Sequence, residues 1–156
     1  MVNNSQISVT TSSTDKTERF GELLAMYLKG GDVLELVGDL GAGKTQLVRG
    51  LARGVKTNST VQSPSFMLQR IYDGEPYAIH HFDFYRLHDP GILLDELRES
   101  LDDNQNVVAI EWARSSKQLL PDSTVTITIT PTSETERTIT VENLKNAEEL
   151  THDFNN

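Results

Sequence analysis

"GDLGAGKTQLVRG", residues 38–50, opens with three glycines in six residues, Gly38, Gly41 and Gly43, with Lys44 and Thr45 directly behind them. Glycine costs a helix interior about 1 kcal/mol relative to alanine and weakens a strand. Here the cluster falls between an apolar run, "VLELV" at 33–37, and a helical stripe of Leu47, Val48 and Leu51. The spacing is G-x-x-x-x-G-K-[ST], read on Gly38, Gly43, Lys44 and Thr45. Between a strand and a helix, such a loop curls so that successive backbone N–H groups converge on phosphate oxygens. The positive end of the helix that follows adds to the attraction. In this reading Gly38, Asp39, Leu40, Gly41, Ala42 and Gly43 form the cradle. Lys44 reaches the β- and γ-phosphates, and the Thr45 hydroxyl completes a Mg²⁺ shell. The motif specifies a nucleoside triphosphate and says nothing about its base.

Working outward, "QISVTT" at 6–11 alternates apolar and polar residues, as a half-buried strand does. The next segment offers N-caps in "STDKTE", a stripe of Phe20, Leu23, Leu24, Tyr27 and Leu28, and a stop at Gly30-Gly31, all features of a helix. "FMLQRIY" and "YAIHHFDFY" read as two strands turned by Asp73-Gly74. "DPG" at 89–91 opens a helix whose buried side is Leu94, Leu97 and Leu101. "NVVAIEW" is a short apolar strand that ends in an acid. "TVTITIT" and "RTITVE" alternate strictly, with threonines on a wet face and Val125, Ile127 and Ile129 on the other, which implies an antiparallel pair. The expected architecture is an α/β P-loop NTPase fold, with a mixed central sheet, flanking helices and a C-terminal antiparallel hairpin. Residues 1–144 are expected to form one domain, and the polar tail 145–156 to fray.

A Mg²⁺ ion held by phosphates and Thr45 needs a protein carboxylate opposite, and open α/β sheets bind ligands beyond the carboxyl ends of their strands. Glu111 closes "VVAI" in the manner of a Walker B strand, and Asp83 lies in "HHFDFYRL". Glu111 is assigned to the metal or its water shell. Asp83 is assigned to orienting the attacking water, or to Mg²⁺ in one state of the cycle, and the two roles are exchangeable. Lys44, Asp83 and Glu111 are thus the candidate catalytic residues. Ser65, in "QSPSF" at 62–66, is the candidate γ-phosphate sensor; a plain turn on Ser63-Pro64 reads equally well. Trp112, the only tryptophan, would face away from Glu111 if the strand continued, for core packing or for contact with a base or partner. His80 and His81 are successive strand residues facing opposite sides, which disfavours a shared metal ion.

Composition narrows the classes. With no cysteine, disulfides, iron–sulfur clusters and a thiol nucleophile are excluded. The first residues, "MVNNSQISVTTSS", lack a basic flank and an apolar core, and no run approaches the ~20 apolar residues of a membrane span, so a cytoplasmic location is expected. The formal charge of −9 speaks against an unaided grip on nucleic acid, although Lys44, Arg49, Arg53, Lys56, Arg70 and Arg86 gather in the middle. The acidic stretch "DELRESLDD" at 95–103 reads as a solvated helix face, or as a docking face for a basic partner.

"GDLGAGKT", "SPSF", "HFDFYRL", "IEW" and "LLP", taken together and in this order, resemble the bacterial TsaE (YjeE) family over about residues 31–121. The resemblance implies binding and slow hydrolysis of ATP with Mg²⁺, stimulated by the partner proteins TsaD and TsaB. It places the chain in threonylcarbamoyladenosine modification of adenosine 37 of tRNAs, with tRNA met only through the complex and the ATPase resetting that complex between turnovers. The family's loop residues carry over to 38–45, its essential aspartate to Asp83, its metal-associated glutamate to Glu111 and its aromatic neighbour to Trp112. The sequence departs from the family pattern in "SPS", "GKTQ" and "EWA", none of which removes a phosphate ligand. A small-molecule kinase with Asp83 as base, or a nucleotide-dependent binding module without turnover, are the alternative readings. Absence of an N-K-x-D guanine-reading motif favours adenine.

Overall fold

The computed structural model describes residues 5–58, 60–61, 69–85 and 91–156. Ser65, Arg86 and the Asp89-Pro90 cap lie outside these residues. A seven-stranded mixed sheet runs in the order β1-β7-β6-β2-β5-β4-β3. Its strands are β1 (Gln6–Thr11), β2 (Val33–Val37), β3 (Gln69–Tyr72), β4 (Ala78–Asp83), β5 (Asn106–Glu111), β6 (Val125–Pro131) and β7 (Arg137–Glu142). β6, β2, β5 and β4 are mutually parallel and form the centre. β3 pairs antiparallel with β4 at one edge; β7 and then β1 do the same beyond β6 at the other. This is the mixed sheet and antiparallel β6–β7 pair that the sequence implies, in the P-loop NTPase arrangement of strand, glycine loop and helix.

The four helices are α1 (Thr14–Ala25), α2 (Lys44–Gly54), α3 (Gly91–Asp102) and α4 (Ala147–Asn155). All six residues of β5 are buried, because helices cover both faces of the sheet there. Val107 and Ala109 turn to the cluster built with α1 and α2 (Phe20, Leu24, Leu47, Leu51), while Val108 and Ile110 turn to Leu93 and Leu97 of α3. The period of two in β4 sorts the same way. His80 faces α3, where its Nδ1 lies 2.7 Å from Ser100 Oγ, and Ile79, His81 and Asp83 take the opposite face, toward α2.

Three expectations need correction. The tail does not fray: 147–155 form α4, with Leu150 fully buried and Phe154 edge-on to Phe20 at 5.3 Å between centroids. α1 ends at Ala25 rather than at Gly30-Gly31, because the Met26 and Tyr27 N–H groups bond the Leu23 and Leu24 carbonyls in a tightened last turn. The β3–β4 connection spans 73–77 rather than a two-residue turn. It is anchored by the Glu75 N–H on the Val55 carbonyl, 2.9 Å away.

Candidate functional site

The loop 38–43 leaves the carboxyl end of β2 and opens directly into α2. Gly41 and Gly43 have φ of +76° and +114°, a region that side-chain-bearing residues avoid. Gly43 is the N-cap of α2 and brings no capping side chain, so the first-turn N–H groups stay available to a ligand. Leu40, Gly41 and Gly43 line a cavity of about 290 Å³ whose far wall is Lys44, Thr45, Asp83, Tyr85, Glu111 and Trp112. The sheet register makes this convergence: Glu111 pairs with Leu36 on one side and with Asp83 on the other, so both acids end adjacent strands beside the loop.

Lys44 is the hub of the cavity. Its Nζ donates to the Gly38 carbonyl, stands 3.5 Å from the Asp39 carbonyl and 4.0 Å from Glu111 Oε1, and lies 4.3 Å from the centroid of the Trp112 ring. Only 6% of Lys44 is exposed. Burial pulls its pKa below the usual lysine value, and Glu111, Asp83 and Asp39 oppose that pull. Asp83 is affected in the opposite sense. Burial raises its pKa above the ordinary carboxylate value, against the Tyr85 N–H that its Oδ1 accepts at 3.0 Å. The site is therefore a pocket in which Lys44 stands beside the acids Glu111 and Asp83, all three largely buried, with Thr45 half-buried at the helix start.

Trp112 departs from expectation. β5 does not continue through it: the strand ends at Glu111, and Trp112 takes φ +57°, ψ +50°. This left-handed step cancels the alternation and returns the indole to the same cavity as Glu111, against Lys44 and at 4.8 Å from the Tyr85 ring. Sequence reasoning also passed over Tyr85, and it missed His81 as a partner of Glu111. His81 is fully buried, and its Nε2 lies 2.7 Å from Glu111 Oε2. The available signal was its position two residues before Asp83, on the same strand face. His80 and His81 do face opposite sides, as alternation requires.

A second cavity, of about 390 Å³, lies across the glycine loop from the first and shares Gly41, Gly43 and Gln46 with it. Ser13, Asp15, Thr17 and Arg137 line its remainder. Arg137 Nε donates to the Ala42 carbonyl at 3.0 Å, which ties the start of β7 to the loop. Among the described residues no group of three or more His, Cys, Asp or Glu side chains is placed to hold a metal ion by itself. A hard cation sharing Thr45 and Glu111 with phosphates and waters suits this donor set better than a protein-only cage. Among the same residues, no helix is long and apolar enough to cross a membrane.

Comparison with known proteins agrees with this geometry. The family model described as "Threonylcarbamoyl adenosine biosynthesis protein TsaE" matches residues 11–139. The tRNA threonylcarbamoyladenosine biosynthesis protein TsaE of Bacillus subtilis is 34% identical over 147 residues, covering 93% of this chain and 90% of that protein. Its namesake in Treponema pallidum is 35% identical over 129 residues, covering 83% and 95%. The crystal structure of Bacillus subtilis YdiB superposes with a TM-score of 0.77 at 31% identity, over 97% of this chain and 95% of that one. The matched span runs from the last residue of β1 into β7 and takes in both strand-end acids, the glycine loop and Trp112, and on that ground the chain belongs to the TsaE family.

Proposed function

We propose that the chain binds ATP with Mg²⁺ at the 38–45 loop, hydrolyses it slowly alone, and serves threonylcarbamoyladenosine modification of tRNA as the ATPase working with TsaD and TsaB. The observation that carries this reading is the cavity itself: a glycine loop and helix start on one side, two buried strand-end carboxylates on the other, and Lys44 between them. The relatives' names supply the pathway, and the family resemblance supplies the partners.

The triphosphate lies along the loop, with its terminal groups in the Lys44 cavity and its nucleoside across Gly41 and Gly43 in the cavity of Ser13 and Arg137. Lys44 exchanges the carbonyls of Gly38 and Asp39 for phosphate oxygens, and its burial makes that charge strongly attractive. Thr45 and Glu111 would hold the Mg²⁺, which supplies charge neutralisation on the phosphates when bound. Asp83, poised beside Glu111, orients the attacking water, and its raised pKa suits brief acceptance of a proton. Trp112 and Tyr85 shield the terminal phosphate from solvent, so the tryptophan acts at the phosphate end of the site. Ser65 is retained as the γ-phosphate sensor. Trans stimulation fits phosphoryl transfer, in which positioning and a donated charge are worth 10³–10⁵ in rate. With a net charge of −9, the chain leaves the grip on tRNA to its partners.

Phosphate release is the test. Release should be slow for the chain alone and much faster with TsaD and TsaB together. No release in either mixture would refute the ATPase reading, and a phosphorylated alcohol product would favour a kinase.

A further inference from the structure

We propose that His81 is the positioning residue for Glu111: its ring anchors one carboxylate oxygen, so that the other is presented to the cavity. This rests on the reading of Glu111 as a metal-site carboxylate. The register places His81 opposite Ala109 and Asp83 opposite Glu111, so His81 and Glu111 are diagonal neighbours on one sheet face. Such neighbours are about 7–8 Å apart at the backbone, a gap that an imidazole and a glutamate close between them. The ring lies 2.7 Å from Oε2 and leaves Oε1 toward Lys44, 4.0 Å away.

Burial makes this contact consequential. His81 is 0% and Glu111 3% exposed, so water is a poor substitute for a lost partner. Among the described residues His81 Nδ1 has no hydrogen-bond partner, and Glu111 is the polar contact that fixes the ring. A glutamate has three side-chain torsions; with one oxygen tied down, the other keeps a single direction. Partners behind a metal-binding side chain commonly carry 10–100-fold in metal affinity.

The test is the ratio of ADP affinities with Mg²⁺ and with EDTA, measured by calorimetry on the full chain. His81→Gln keeps an N–H at the position of Nε2, whereas His81→Asn places its N–H near Nδ1, out of reach of Glu111. Both lose the ring, and asparagine also loses a methylene, so the readout is the Mg²⁺-dependent ratio, which compares each variant with itself and cancels a loss of packing common to both conditions. The wild type and His81→Gln should keep the Mg²⁺-dependent gain, and His81→Asn should lose about 10-fold of it. A retained gain in His81→Asn, or an equal loss in both variants, overturns the proposal. Glu111→Ala sets the floor: if it keeps the full gain, the metal-site reading of Glu111 fails first and this inference falls with it. Imidazole ¹⁵N spectra of the wild-type protein need no variant to fold. They should show His81 protonated at Nε2, and a ring protonated only at Nδ1 would overturn the assignment.

Discussion

Gly50→Ala sets two physical effects against each other, and the structure decides the sign. By helix propensity alone, alanine inside α2 should gain about 1 kcal/mol. The added methyl would, however, stand 2.0 Å from the Glu18 carbonyl oxygen and 3.0 Å from Glu18 Cα. These are backbone atoms of α1, so no rotamer change relieves the clash. The helices must part by roughly 1 Å, a gap that forfeits up to half of each dispersion contact at the seam. Phe20 and Leu24 of α1 and Leu47 and Leu51 of α2 are all fully buried there. Overpacking costs about 3 kcal/mol at the upper end of its usual range, leaving a net loss of about 2 kcal/mol after the propensity gain. For a chain of this length that lowers Tm by roughly 4–8 °C. Thermal denaturation followed by circular dichroism measures it. An unchanged or raised Tm would refute the close helix–helix approach, and with it the seating of α2, whose first turn holds Lys44 and Thr45.

Leu150→Ala should cost about 2–5 kcal/mol, because Leu150 is fully buried in the cluster that includes Phe20 and Val9. A denaturant midpoint within about 0.5 kcal/mol of wild type would show that α4 is not part of the core. Asp83→Asn should raise the stability of the ligand-free protein at neutral pH while abolishing turnover. Burial raises the Asp83 pKa in the folded state, so ionisation there opposes folding above that pKa and the penalty lifts as pH falls through it. The stability gap between variant and wild type should therefore close on acidification, and a gap that widens would contradict the sign.

The parts of the site legible in the sequence are those whose chemistry is local. Gly38 to Thr45 announces itself by spacing, and "VVAI" before Glu111 reads as a short apolar strand whichever strands flank it. β6 and β7 were legible because their threonines and aliphatic residues alternate without a break. The rest depends on contacts distant in sequence. His81 meets Glu111 across two strands, and no spacing rule joins positions thirty apart. The side that Trp112 faces was not legible, because alternation holds only while the backbone stays extended, and its left-handed φ is a single-residue event. α4 has only Leu150 and Phe154, four residues apart, as large apolar anchors on a polar nine-residue segment, too little to signal a helix that α1 and β1 hold in place. The sheet order, with β6 beside β2 and β1 at the far edge, is set by burial across the whole layer.

Titration calorimetry of MgATP into the full chain and into Lys44→Ala tests the phosphate site most directly. Lys44 is buried beside Glu111, and truncating such a charge costs about 2–5 kcal/mol, or about 30-fold or more in affinity. The account predicts saturable binding at one site per chain and at least that loss in the variant. Equal affinities, or no saturable binding to the wild type with or without TsaD and TsaB, would contradict it.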